Sequence, residues 1–258
     1  MKTLKERYGT WTMVTGASSG LGREFCVQLA AQGFNLVVVA RRRERLEELK
    51  IILESTYLVS VEIVAADLSD RDFMRSVLEK TNDLEIGILV NCAGFVLTGL
   101  FMEHSLEKQL ELLDVNCRAP LELSYRFGSQ MMRRGKGAII NVASASAFLP
   151  MPFWSNYAAS KSYLLHLSEG LWYELRGKGI DVLTVCPGAT RTEFASVAGT
   201  NNIGMKPDVV VRKTLSSLGK PSVVPGVFNR LAVAVTRFLP RRILISMGAR
   251  VVQNSRKK

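Results

Sequence analysis

Short runs of β-branched and aliphatic residues recur along the chain at 11–14, 35–40, 61–65, 86–91, 138–142 and 181–186, and several are apolar at nearly every position. A strand that is apolar on both sides must be covered on both faces, which excludes a sheet with one wet surface. The stretches between these runs, 21–32, 42–54, 70–80, 105–133 and 155–176, carry helical spacing. Such alternation closes through right-handed βαβ crossovers, so the predicted fold class is α/β, a doubly wound parallel sheet in three αβα layers. A further short strand, bringing the sheet to about seven, is predicted at 222–224; its bracketing Pro221 and Pro225 place it at an edge. No linker, repeat or low-complexity tract divides the 258 residues, so 1–258 is predicted to be one domain.

The turn after the first run reads Thr15-Gly16-Ala17-Ser18-Ser19-Gly20-Leu21-Gly22 and leads into a helix. A glycine-rich turn between a strand and a helix lets backbone amides approach a pyrophosphate, whose charge the helix N-terminus then favours. Three further patterns follow the later strands. Asn91-Cys92-Ala93-Gly94 comes after the fourth, Ser144 after the fifth, and Tyr157-Ala158-Ala159-Ser160-Lys161 opens the next helix, with Asn116 on the long helix between.

With these motifs in this order, over about residues 9 to 200, the chain resembles the short-chain dehydrogenase/reductase family in its single-domain branch. The resemblance implies a Rossmann fold and an oxidoreductase that moves a hydride between a nicotinamide dinucleotide and a carbonyl or secondary alcohol. It also implies Asn116, Ser144, Tyr157 and Lys161 as a catalytic tetrad, and the 13-residue step from Ser144 to Tyr157 is the family's usual one. Gly16, Ser18, Ser19, Gly20 and Leu21 are implied at the dinucleotide's phosphates. Asp67 and Leu68 are implied at its adenine, and Asn91, Ala93 and Gly94 along its length. Tyr157 and Lys161 contact it as well, and Pro187, Gly188, Thr190 and Thr192 form a clamp on the nicotinamide, Thr192 holding the carboxamide.

The residue types suit that chemistry. A phenol is a poor proton donor or acceptor at neutral pH unless a cation stabilises its anion, and Lys161, one helical turn from Tyr157, is predicted to lower its pKa and reach the ribose. Tyr157 then exchanges a proton with the substrate oxygen. Ser144 hydrogen-bonds the same oxygen. By analogy with the family, Asn116 holds a water that links Lys161 to solvent.

Cofactor choice turns on the end of the second strand, where a carboxylate would repel a 2′-phosphate. This chain reads Ala40-Arg41-Arg42-Arg43. Arg42 and Arg43 open a helix beside Glu44, Glu47 and Glu48, so Arg41, helped by Ser18, is predicted to hold the phosphate of NADP(H) in preference to NAD(H). Leu149, Phe153 and Trp154, between Ser144 and Tyr157, and Phe194 after the clamp are predicted to wall an apolar substrate site with Ser144 and Tyr157. A hydrophobic ketone fits it, and the basic C-terminal extension, which resembles that of ketoacyl- and steroid-type reductases of the family, implies a 3-ketoacyl or steroid-like one. A non-catalytic dinucleotide sensor of the same fold is the alternative, against which the intact tetrad argues.

Charge enters here. Residues 1–200 hold 22 basic and 22 acidic residues, and 201–258 hold 12 basic residues and Asp208 alone. The excess is therefore local, which argues against nucleic acid as a partner. The basic segment 201–258 is predicted to be a helical extension, with apolar spacing through Phe228, Leu231, Val235, Phe238, Leu239, Ile243, Leu244, Met247 and Val251 and with Pro240 in the first turn of its second helix. It can serve as a substrate lid, an anionic-membrane contact or a subunit contact. Cys26, Cys92, Cys117 and Cys186 form no paired motif, so neither a disulfide nor a metal site is expected. No apolar run is long enough to span a bilayer, and a cytoplasmic homodimer or homotetramer, with at most peripheral membrane association, is the expectation.

Overall fold

The structure is a computed structural model that describes residues 3–198 and 204–256; the ends of the predicted basic extension, 201–203 and 257–258, lie outside the described residues. Its strands are β1 Trp11–Thr15, β2 Asn35–Ala40, β3 Val61–Ala65, β4 Ile86–Asn91, β5 Gly137–Val142, β6 Ile180–Val185 and β7 Ser222–Val223. The helices are α1 Leu4–Tyr8, α2 Gly20–Ala30, α3 Arg43–Tyr57, α4 Phe73–Thr81, α5 Leu106–Leu113, α6 Ala119–Arg134, α7 Ser155–Leu175, α8 Glu193–Val197, α9 Pro207–Leu215, α10 Val227–Thr236 and α11 Arg241–Arg256.

The strands form one seven-stranded sheet, all pairs parallel, in the order β3-β2-β1-β4-β5-β6-β7. Successive strand residues point to opposite faces, so Leu36 and Val38 meet Phe25, Leu29 and Leu49 on the α2–α3–α9 side. Val37 and Val39 meet Phe73, Val77 and Phe127 on the α4–α6–α7 side. This is the αβα sandwich that the sequence predicts. The order reverses between β1 and β4, and a cleft opens there at the carboxyl ends of the strands, where open α/β sheets bind ligands.

The long helix predicted at 105–133 is interrupted. Asp114–Arg118 is a π-helical turn in which the Ala119 N–H donates to the Asp114 carbonyl. Pro120 lacks the N–H that would answer the Asn116 carbonyl in an α-helix, and the ladder widens just before it. Pro240 immediately precedes α11, its carbonyl accepting from Ile243 and Leu244. It therefore caps the helix from outside its first turn. Among the described residues, no helix is long and apolar enough to cross a membrane.

Candidate active site

The cleft encloses about 1390 Å³ and is built first from close backbone approach. Gly16 has a φ of +68°, and a Cβ there would stand 2.9 Å from the Ala93 Cα. Thr15 ties the same two strand ends together, its hydroxyl accepting from Cys92 and Ala93 N–H at 3.0 and 3.1 Å. A Cβ on Gly22 would lie 2.2 Å from the Gly16 carbonyl oxygen, so α2 starts hard against the turn. No side chain caps α2, and the N–H groups of its first turn remain available to an anion in the cleft. That unfilled donor set, together with the crowding at Gly16 and Gly22, fits a dinucleotide pyrophosphate.

Tyr157, 6% exposed, lies in the first turn of α7 and faces the cleft with Ser144, two residues past the end of β5. The Ser144 oxygen accepts from the Ser146 N–H at 3.1 Å, which leaves its proton to donate to Tyr157. Burial pushes the phenol up to about 12, and the Ser144 hydrogen bond pulls in the other direction. The net shift is therefore upward, opposite to the lowering predicted from Lys161, because burial outweighs the groups that favour the phenolate. The Lys161 ammonium donates to the Val142 carbonyl at 2.9 Å and sits 5.7 Å from the Tyr157 ring centroid. Burial holds that ammonium below the usual lysine range, against nearby thiols of Cys92, Cys117 and Cys186.

Asn116 is fully buried in the π-helical turn. Its amide accepts from the Phe95 N–H and donates to the Phe95 carbonyl, both at 3.1 Å, and to the Ser160 hydroxyl at 3.0 Å. A Cβ on Gly94 would meet both the Asn116 Oδ1 and the Lys161 Nζ, at 3.0 and 3.2 Å, which puts the two beneath that glycine. Asn116 therefore lies beside Lys161, beneath the cleft rather than in its lining.

At the far end of the cleft Arg41 lies 3.7 Å from both Asp67 and Glu111. Partial burial works to raise the Asp67 pKa, but the Ser69 N–H and hydroxyl, with Arg41, outweigh it and leave the carboxyl below its ordinary value. Arg42, read from sequence as helix decoration, instead lies across the glycine turn: it donates to Ser18 and Ser19 at 3.0 and 3.1 Å and to Glu193 at 3.0 Å. Its neighbour Arg45 bonds the same carboxylate. The sequence signal for this was present in three consecutive arginines, but helix phase alone did not say which one turned inward.

The glycine-turn residues Gly16, Ser18, Ser19, Gly20 and Leu21 line the cleft, as do Arg41, Asp67, Leu68, Ala93 and Gly94. So do Lys161, Pro187, Gly188, Thr190 and Thr192 of the expected cofactor side, and Ser144, Leu149, Trp154, Tyr157 and Phe194 of the expected substrate side. The Trp154 and Phe194 rings flank Tyr157 at 6.0 and 5.8 Å. Two predicted contacts are not brought there. The Asn91 side chain points into the helix layer, donating to Asn141 and Ser124 at 2.8 and 3.1 Å. Phe153, at a φ of +69°, packs with Met151, Ala158 and Val252 instead. The extension adds to the wall with Val233 and Thr236 of α10 and Met247, Val251 and Asn254 of α11, beside Phe95, Val115 and Met151 of the body.

The family model for short chain dehydrogenases matches residues 10–202. The 7beta-hydroxysteroid dehydrogenase of Clostridium sardiniense is 29% identical over 248 residues, 94% of this chain and 95% of that one. A solved 7beta-hydroxysteroid dehydrogenase structure superposes with a TM-score of 0.91 at 28% identity, over 96% of this chain and 99% of that one. A short-chain dehydrogenase from Sphingobium yanoikuyae in complex with NADPH gives 0.80 at 34% identity, over 89% and 94%. Since the matched segment takes in the glycine turn, Ser144, Tyr157 and Lys161, the cleft and the match fall on the same residues, and the chain belongs to the short-chain dehydrogenase family of oxidoreductases.

Proposed function

We propose that the protein is an NADP(H)-dependent reductase, reversible to a dehydrogenase, of a bulky apolar ketone or its secondary alcohol, of steroid-like or 3-ketoacyl type. The observation that carries this reading is the Ser144–Tyr157 pair set between a basic dinucleotide groove and an apolar chamber. The bound dinucleotide supplies the hydride. Tyr157 donates its proton to the carbonyl oxygen as that oxygen gains charge, and Ser144 hydrogen-bonds the same atom. Lys161 positions the ribose and supplies positive charge near the phenol, and Asn116 holds the α5–α6 turn against Gly94 and Ser160.

Arg41 and Arg42, with Ser18, are the proposed 2′-phosphate ligands. The NADPH complex of the Sphingobium relative supports this choice, and the hydroxysteroid dehydrogenase relative supports a bulky alicyclic substrate. The whole chain serves as one dinucleotide-binding domain whose last 58 residues cover the substrate. We also propose homo-oligomeric assembly in the cytoplasm, and a peripheral contact with anionic membrane through the outer face of α10. Phe228 on α10 and Phe238 just after it are 88% and 87% exposed, with Arg230, Arg237 and Arg241 close by in sequence. Tyr157→Phe tests the central assignment: NADPH affinity is retained and kcat for ketone reduction falls by about a hundredfold or more. Near-normal turnover would overturn it.

A further inference from the structure

Glu193, the first residue of α8, sets its carboxylate among an unusual number of donors. Its two oxygens lie 2.8 and 3.0 Å from Arg45, one of them also lies 3.0 Å from Arg42, and the Ser19 hydroxyl bonds it as well. The Arg42 and Arg45 guanidinium groups hold its pKa down to about 2, so it is an anion at every working pH. Two guanidinium groups and a seryl hydroxyl converging on one anion are a donor set that suits a phosphomonoester. Here a carboxylate of the chain itself fills that set, next to Arg41 at the proposed phosphate end.

The position also spans the cleft. Arg42 joins the glycine turn, through Ser18 and Ser19, to α8, through Glu193. On one side of Glu193, Thr192 rests on Gly20, where a Cβ would be 3.2 Å away; on the other, Phe194 lies against Tyr157. An arginine that bridges two walls must change partners when a dianion reaches it.

We infer that Glu193 is a specificity-determining residue, an internal stand-in for the 2′-phosphate of NADPH that holds Arg42 and Arg45 and is exchanged for the phosphate on binding. The inference rests on the NADPH reading above and deepens it. NADH brings no group to these arginines and leaves the bridge alone. NADPH gains two guanidinium contacts at the cost of those Glu193 gives up, and the displaced carboxylate competes for them again as the dinucleotide leaves.

Fluorescence titration of wild type and Glu193→Gln with NADPH, NADH, adenosine 2′,5′-bisphosphate and 5′-AMP tests it. In the variant the two 2′-phosphorylated ligands should bind about three- to tenfold more tightly, the scale of two exposed ion pairs, and NADPH should dissociate correspondingly more slowly. NADH and 5′-AMP should stay within about twofold. If all four ligands weaken or tighten together, Glu193 only holds α8 in place and the inference fails. Glu193→Ala, checked by its melting temperature, gives the same discrimination without an amide that could still accept from Arg42. The wild-type preference separates the two claims. A wild type indifferent to the 2′-phosphate overturns the NADPH reading and the exchange with it, whereas a preference that Glu193→Gln leaves unchanged overturns the exchange alone.

Discussion

Gly248 lies in the middle of α11, against the turn that carries Met151 into the substrate wall. A Cβ there would stand 2.1 Å from the Pro150 carbonyl oxygen and 3.3 Å from the Met151 Cα. Carbon and carbonyl oxygen settle at about 3.3–3.6 Å, so Gly248→Ala has to part helix and turn by about 1 Å. Gly170, exposed in α7, provides the matched control, since nothing lies within 4 Å of its Cβ position. Alanine in a helix gains about 0.8–1 kcal/mol over glycine, so Gly170→Ala should raise Tm by about 2–4 °C. At Gly248 the same gain meets an overpacking cost of about 1–3 kcal/mol, and Tm should stay level or fall. The turn and its neighbours Met247 and Val251 wall the chamber, and a displacement of about 1 Å near reacting groups can cost up to about a hundredfold. We therefore expect kcat/KM for a bulky ketone to drop at least about tenfold in Gly248→Ala, a small ketone to be affected less, and NADPH affinity to be unchanged. Melting curves and steady-state kinetics on both variants decide it. A Gly248→Ala protein that melts higher, as Gly170→Ala does, and keeps its activity on bulky ketones would mean that α11 does not rest on Pro150.

Arg42→Ala should weaken NADPH by about 1.5–3 kcal/mol and Arg41→Ala by less, because Arg42 already engages Ser18 and Ser19, with NADH little affected by either; equal losses for both dinucleotides would remove the phosphate assignment. With Tyr157 at about 12, the phenol is the form present at ordinary pH, so ketone reduction should hold a level kcat from about pH 6 to 9 while alcohol oxidation climbs, and a reductive kcat that already falls as pH rises through neutrality would refute the geometry. The same raised pKa contributes stability that is complete below pH 10 and lost as pH rises toward 12, whereas the depressed Glu193 contributes above about 4.5 and is lost toward 2, which pH-dependent melts of wild type, Tyr157→Phe and Glu193→Gln would separate. Vesicles containing phosphatidylserine should retain the protein in flotation and release it with salt, and phosphatidylcholine alone should not, since attraction is worth only about 1 kcal/mol per basic residue and is screened.

The fold was legible because its strands are buried on both faces. Asn35–Ala40, Val61–Ala65 and Ile86–Asn91 are bounded as their apolar runs are, and their alternation with helices leaves one sandwich to form. The chemistry was legible because it sits at strand ends and helix starts, where few residue types serve. Gly16 needs a positive φ, and Gly22 tolerates no Cβ beside the Gly16 carbonyl. What sequence spacing could not supply was direction at equal chemistry. Arg41, Arg42 and Arg43 differ only in their place around the start of α3, and only the packed structure turns Arg42, the extended residue before the helix, onto Ser18 and sends Arg43 toward Glu47. Asn91 failed for a related reason. It ends a central strand as expected, but the pleat points its amide away from the cleft, to bond Asn141 and Ser124. Phe153 lies in the right loop, and its positive φ carries the ring out of the cleft wall.

The two halves of the cleft therefore differ in how they are held. The dinucleotide half is fixed by backbone contacts that leave no room for an added carbon at Gly16 and Gly22, by the Asn116 and Lys161 side chains close beneath Gly94, and by Thr15 between two strand ends. Its shape has little freedom to vary with substrate. The chamber half is closed by the paired helices α10 and α11 and by α8, all following the last full-length strand, and they meet the body at a few positions such as Gly188 against Asn229 and Gly248 against Pro150. Substitutions along Val233, Thr236, Met247 and Val251 can reshape that wall while Ser144 stays in the turn after β5 and Tyr157 and Lys161 stay on α7. In the proposed reading, proton transfer and dinucleotide binding are thus assigned to groups held by the sheet and its first helices, and the choice of ketone to helices that pack on its edge, which is why the candidate catalytic residues could be proposed from short motifs and most of the chamber wall could not.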